Sequence, residues 1–113
     1  MNEQKTDLAN RQCVPCEGGV QPLKPAQARA ALTQLHSDWT LDEATSMLKR
    51  DYRFKHFYQV MSFVNAIAHI ANSEDHHPDL SIGYNYCHVR YTTHAIHGLS
   101  DNDFICAAKI DRL

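Results

Sequence analysis

Apolar positions along this chain change period several times, and each change marks an element. In residues 26–36 the strong helix formers Ala28, Ala31, Leu32 and Leu35 recur at i, i+3, i+4 and i+7, one helical face. Pro25 suits the first turn, where its missing N–H removes no hydrogen bond. Ser37-Asp38 end the pattern. Residues 39–41 read as a short strand with Trp39 as a packing anchor whose indole N–H finds a partner. Residues 46–54 alternate. Leu48, Arg50, Tyr52 and Phe54 share one side; Met47, Lys49, Asp51 and Arg53 share the other. The basic residues of that second side read as a solvated face. Residues 57–71 return to the helical period, with Phe57, Val60, Met61, Val64, Ile67, Ala68 and Ala71 as one stripe and His69 off it. This helix should fray over residues 72–75, because Pro78 disfavours helix in the residue before it.

Two alternating runs follow. Leu80, Ile82 and Tyr84 form one inward set; Cys87, Val89, Tyr91 and Thr93 form another, with a tight turn near Asn85-Tyr86. Ser100 has the chemistry of an N-cap, and Asp103 stands three residues on. A last helix is expected over residues 101–112, with Phe104, Ala107 and Ala108 inward. The order is α-β-β-α-β-β-α. Hairpin-joined strands make an α+β fold with a four-stranded antiparallel sheet and helices packed on one face. At 113 residues the chain is one domain, and 43% hydrophobic content supports a real core.

A net charge of −2 gives no bulk attraction to nucleic acid or anionic membrane. No apolar run approaches the ~20 residues of a membrane span. Residues 1–12 are polar and unpatterned and do not read as a secretory signal. The four cysteines therefore read as reduced thiols in the cytoplasm. Residues 1–22 form an arm carrying Cys13-Val14-Pro15-Cys16-Glu17-Gly18-Gly19, and residues 23–113 form the domain. A Cys-x-x-Cys pair can be half a zinc site, a redox pair, or two thiols in a small folded arm.

The chemistry concentrates in Asp75-His76-His77-Pro78-Asp79. If Asn85-Tyr86 is the turn, position 84 pairs near 87, and His77 then lies opposite His94. Asp103, in the first turn of the last helix, can reach the same mouth and orient one imidazole. Three uses of His76, His77 and His94 compete. They can ligate zinc, although adjacent extended residues point apart. They can flank a substrate as acid and base. They can cap strand ends.

The spacing carries a resemblance. His76-His77-Pro78, Tyr84 after five residues, His94 after nine more and Asp103 after eight more resemble the signature of the pterin-4a-carbinolamine dehydratases. These proteins are also known as the dimerisation cofactor of a homeodomain transcription factor. Asn85, Thr93-His94 and Gly98-Leu99-Ser100 add to it, over roughly residues 23 to 111, and the Cys13 to Gly19 arm is similar to the N-terminus of bacterial members. The resemblance implies the same α-β-β-α-β-β-α fold. It implies a hydro-lyase that removes water from 4a-hydroxytetrahydropterin, recycling pterin for aromatic amino acid hydroxylation. It assigns catalysis to His76, His77 and His94, with Asp75 and Asp103 as orienting carboxylates and no metal or organic cofactor. A homodimer or homotetramer is implied, with no nucleic-acid partner and no membrane. Asn72 departs from the pattern: the family often carries Glu there, sometimes Lys or His. Asn can hydrogen-bond substrate or a histidine but cannot ionise. The alternatives are a weakly catalytic dimerisation or coactivator module, or a zinc protein joining Cys13 and Cys16 to the histidines.

Overall fold

A computed structural model of the chain describes residues 7–15 and 20–113. The elements are α1 (Pro25–Leu32), β1 (Thr40–Asp42), β2 (Met47–Arg53), α2 (Phe57–Glu74), β3 (Asp79–Gly83), β4 (Tyr86–Tyr91) and α3 (Asp101–Asp111). The sheet is antiparallel throughout, in the order β1-β2-β4-β3. The α+β architecture is therefore the expected one. Leu48, Arg50 and Tyr52 on β2 stand opposite Tyr91, Val89 and Cys87 on β4, and Leu80 on β3 continues the Val89 row. That face meets the helices: Leu48, Cys87, Val89 and Tyr91 are buried together with Val60, Ile67 and Phe104. The other face carries charge in pairs, Lys49 with Asp42 and Arg90 with Asp51.

Several boundaries move, each for a local reason. α1 stops at Leu32 rather than running to residue 36. Thr33, Gln34 and Leu35 donate their N–H groups to carbonyls three residues back, a tightened turn, and the Thr33 hydroxyl bonds the Ala30 carbonyl. α2 does not fray over residues 72–75; it continues to Glu74 and ends at Asp75, which takes the left-handed conformation at φ 52° and ψ 43°. The His76 N–H then returns to the Ala71 carbonyl, closing the helix end as a left-handed cap does. The buried face of α2 is also narrower than the stripe. Val60, Ile67, Ile70 and Ala71 are buried, whereas Phe57 is 47% exposed.

The hairpin register differs too. Its turn is Tyr84-Asn85, with Gly83 paired to Tyr86, so Tyr84 leaves the strand. Gly83 permits this: a Cβ there would come within 2.1 Å of the Tyr86 ring. β3 begins at Asp79 and β4 ends at Tyr91, so neither His77 nor His94 belongs to a strand. Extending the observed pairing brings His77 opposite residue 92 instead of His94.

The last helix is buried on nearly every side, from Asn102 to Ala108. The sheet and α2 cover its inner face. Its outer face is covered by the arm, where Leu8–Asn10 makes one 3₁₀ turn and Leu8 joins the core. The described part of residues 1–12 is thus folded onto the domain. Residues 1–6 and Cys16, Glu17, Gly18 and Gly19 lie outside the described residues.

Asp111, at the end of α3, ties the first half of the chain to the last. It accepts from the Trp39 indole at 2.8 Å, the His36 N–H at 2.9 Å and Arg50 at 3.0 Å. The expected indole partner therefore exists. The Arg50 and Asp111 side chains are only 13% and 17% exposed, so removing one leaves the other charge poorly solvated. Asp111→Ala should lower stability by about 2–4 kcal/mol. Urea unfolding with an unchanged m-value checks this; a loss below about 0.5 kcal/mol would remove the hub from the account.

Candidate active site

Asp103 is fully buried, which makes its carboxylate the first constraint on the site. An ionised carboxylate buried this way needs donors around it. Its Oδ2 accepts from the Thr93 hydroxyl at 2.8 Å and the Ser100 N–H at 3.0 Å. The second contact is half of a capping box, in which the Ser100 side chain also takes the first N–H groups of α3. Its Oδ1 lies 2.7 Å from Nε2 of His76. An ionised carboxylate only accepts, so Nε2 carries the proton and Nδ1 is the nitrogen left with a lone pair.

The local chain makes this geometry unavoidable. The left-handed Asp75 turns the backbone out of α2, and Asp tolerates that conformation better than most residues. His76 then stacks nearly parallel on Tyr91, with ring centroids 5.9 Å apart and planes 6° apart. On the opposite side, Thr93 and Gly98 bridge to each other, closing a 3₁₀ turn over His94–Ile96 that presents His94. Gly98 has to be small: a Cβ would meet Pro22 at 2.7 Å.

Asp75, His76, His77 and His94 line one open cavity of about 600 Å³. Thr92, Thr93, Ala95, Glu74 and Asn102 complete it with Cys13, Val14 and Pro15 of the arm. The histidines therefore meet through loops beyond the strand ends, not by strand pairing. His77 and His94 are exposed at the mouth, and His76 is recessed. Asn72 is exposed on the last turn of α2 and does not line the cavity. Among the described residues, no three His, Cys, Asp or Glu side chains are arranged to hold a metal ion.

Sequence reasoning missed several of these residues. Thr93 and Ser100 were read as a motif flank and a cap, yet both hold Asp103. Asn102 binds the arm by a paired contact, accepting from the Val14 N–H and donating to the Val14 carbonyl. Glu74 accepts the Cys13 N–H at 2.8 Å. One signal was available: Phe104-Ile105-Cys106-Ala107-Ala108 offers no polar face, so something had to cover the helix on both sides.

Burial lowers the pKa of His76, but the Asp103 hydrogen bond and charge outweigh it, and the net shift is upward. We rank the partner above burial because the 2.7 Å contact is short and direct.

Comparisons with known proteins give the family and the fold. The model of the pterin 4 alpha carbinolamine dehydratase family matches residues 21–113. The chain belongs to this family. A relative from Nitrosomonas eutropha, provisionally named a pterin-4-alpha-carbinolamine dehydratase, is 57% identical over 107 residues, 95% of this chain and 93% of its own. One from Legionella pneumophila with the same provisional name is 54% identical over 108 residues, 96% of each chain. The crystal structure of a transcriptional coactivator/pterin dehydratase from Brucella melitensis superposes with a TM-score of 0.76 at 27% identity, covering 81% of this chain and 97% of that one. Family resemblance and observed fold therefore coincide over the domain.

The raised pKa has a sign in stability. Protonated His76 favours the folded state, so its contribution is complete below the unfolded pKa of ~6.5 and is lost as pH rises through the higher folded value. The stability gap between wild type and His76→Gln should therefore be larger at pH 5.5 than at pH 8.5. Urea midpoints at both pH values read it; a gap that widens with pH would contradict the Asp103 pairing.

Proposed function

We propose that this protein is a cytoplasmic hydro-lyase that dehydrates 4a-hydroxytetrahydropterin to quinonoid dihydropterin. Its role on this reading is pterin recycling for aromatic amino acid hydroxylation. One observation carries the reading: three imidazoles converge on one cavity, backed by a buried carboxylate, in a chain of the dehydratase family. A cavity of about 600 Å³ suits a bicyclic ring.

The chemistry asks for two proton movements. One proton leaves ring N5, another reaches the 4a-hydroxyl, water departs, and the C4a–N5 double bond forms. Hydroxide is a poor leaving group, so protonating it dominates the barrier. Imidazole exists in both forms near neutrality and can do either task. His76 takes the proton at Nδ1, because Asp103 holds the proton on Nε2 and stabilises the imidazolium that results. His77 and His94, at the mouth, position the substrate and supply the acid. Asp75 lies beside them at the rim; its backbone makes the turn and its charge favours a protonated His76. Asn72 hydrogen-bonds substrate parts that project beyond the cavity. The steps use no metal or organic cofactor.

A homodimer or homotetramer is part of the same reading. Phe57 and Tyr58, 47% and 79% exposed at the start of α2, give such an assembly apolar surface to bury. A second reading, a self-associating coactivator module, is favoured by the Brucella neighbour, a protein described as a transcriptional coactivator/pterin dehydratase. Purified protein that associates but shows no turnover would select it.

His77→Ala and His94→Ala should each lower dehydration at least ~100-fold, the low end for lost acid–base catalysis. Stopped-flow absorbance on freshly generated carbinolamine measures this. Near wild-type rates in both variants would overturn the mechanism.

A further inference from the structure

The arm brings a second kind of chemistry to the rim of the cavity. The family model begins at residue 21, and the Brucella structure accounts for nearly its whole length with 81% of this chain. Residues 7–15 thus lie outside the family model, although the curated relatives match 95–96% of the chain. The arm is strapped to the domain at several points. Lys109 donates to the Ala9 carbonyl at 2.8 Å, Asp7 pairs with Arg112, Asn102 holds Val14, and Glu74 holds the Cys13 N–H. This course lays the Cys13 sulfur 3.6 Å from the sulfur of Cys106 on α3. Both thiols are free, 93 positions apart in sequence, and in contact.

We propose that Cys13 and Cys106 are a reversible oxidation site, closing to a disulfide that tethers the arm to α3 beside the cavity. Three observations support it. The sulfurs need to approach by only about 1.5 Å to reach the ~2.05 Å of a disulfide. Cys13 is partly exposed and lines the cavity, so a small oxidant reaches it, whereas Cys106 is fully buried. The Cys13 thiol donates to Cys106: that bond and nearby His76 hold the Cys106 pKa below the ordinary thiol value, while the same bond, burial and Glu74 push the Cys13 pKa up, so the proton the pair shares rests on Cys13. Cys87, by contrast, is fully buried and its pKa is raised by burial.

The oxidant is hydrogen peroxide. Against the resting order, the Cys13 proton first transfers to the Cys106 thiolate, and the Cys13 thiolate so formed attacks one peroxide oxygen. The O–O bond breaks, Cys13 becomes a sulfenic acid, and the departing hydroxide takes a proton from solvent to become water. Cys106 then attacks the Cys13 sulfur. The S–S bond forms, the S–O bond breaks, and hydroxide leaves with the Cys106 proton as a second water. Two thiols lose two electrons and one peroxide becomes two waters. Intracellular disulfides in such settings are transient and sensing rather than structural. Cys106 lies three residues beyond Asp103, and its sulfur faces the His76 carbonyl at 3.9 Å, so the tether ends on the turn that holds His76. The closed form fixes Val14 and Pro15 as one wall of the cavity. The rival acceptor is the other cysteine of the arm, Cys16.

Peptide mapping by mass spectrometry after brief treatment of the full chain with dilute hydrogen peroxide decides between them. The expected product is a Cys13–Cys106 crosslinked peptide, about 2 Da lighter than its two thiols and restored by a reducing agent. Cys16→Ser should retain the crosslink and Cys13→Ser abolish it, both variants leaving the buried Cys106 in place. A Cys13–Cys16 bridge as the main product, oxidation of Cys87 before Cys13, or unchanged thiols in wild type and Cys16→Ser would each overturn the proposal.

Discussion

A carboxylate with no solvent exposure organises the cavity end of this molecule. Asp103 cannot stay ionised without donors, and the donors it has recruited come from three separate pieces of chain: Ser100 at the start of α3, Thr93 after β4 and His76 after α2. Satisfying one buried charge therefore fixes the relative position of a helix start, a strand end and a helix end. The imidazole set follows from that. His76 is held directly, His77 follows it in sequence, and His94 follows Thr93. The geometry of the cavity and the capping of the helix here use the same hydrogen bonds.

The sheet supplies the platform and the arm supplies the wall. Tyr91, at the end of the central strand β4, gives His76 an aromatic floor. The arm covers the outer side of α3 and turns an open notch into a cavity, using Asn102 and Glu74 as its anchors. That arrangement explains an oddity of composition. A helix reading Phe-Ile-Cys-Ala-Ala has no face suited to water, and in this fold it needs none. Stability and site construction are consequently hard to separate in α3, since its residues serve both.

Much of this was legible in the chain. Changes of hydrophobic period located all seven elements of the sheet and helices, and the capping chemistry at Ser100 and Asp103 marked the start of the last helix to the residue. The reach of Asp103 to an imidazole was also foreseeable from its place in the first turn. What failed was register. Periodicity is silent about where a hairpin turns, and the absent side chain of Gly83 moved the turn by accommodating Tyr86. His77 and His94 nevertheless share the cavity, because loops rather than strand pairing deliver them. The stripe on α2 was read too wide, since an apolar residue near a helix start such as Phe57 need not face the core. The role of the arm was invisible because its contacts are almost all with residues more than 60 positions away.

In the proposed mechanism, ionised Asp103 holds the His76 proton on Nε2 and leaves Nδ1 as the base of the cavity. Long-range ¹H–¹⁵N NMR of the histidine rings across pH 5.5 to 9 reads both parts directly. The account predicts that neutral His76 is the Nε2–H tautomer and titrates above the ordinary value of ~6.5. A neutral His76 with its proton on Nδ1, or a midpoint below that value, would contradict it.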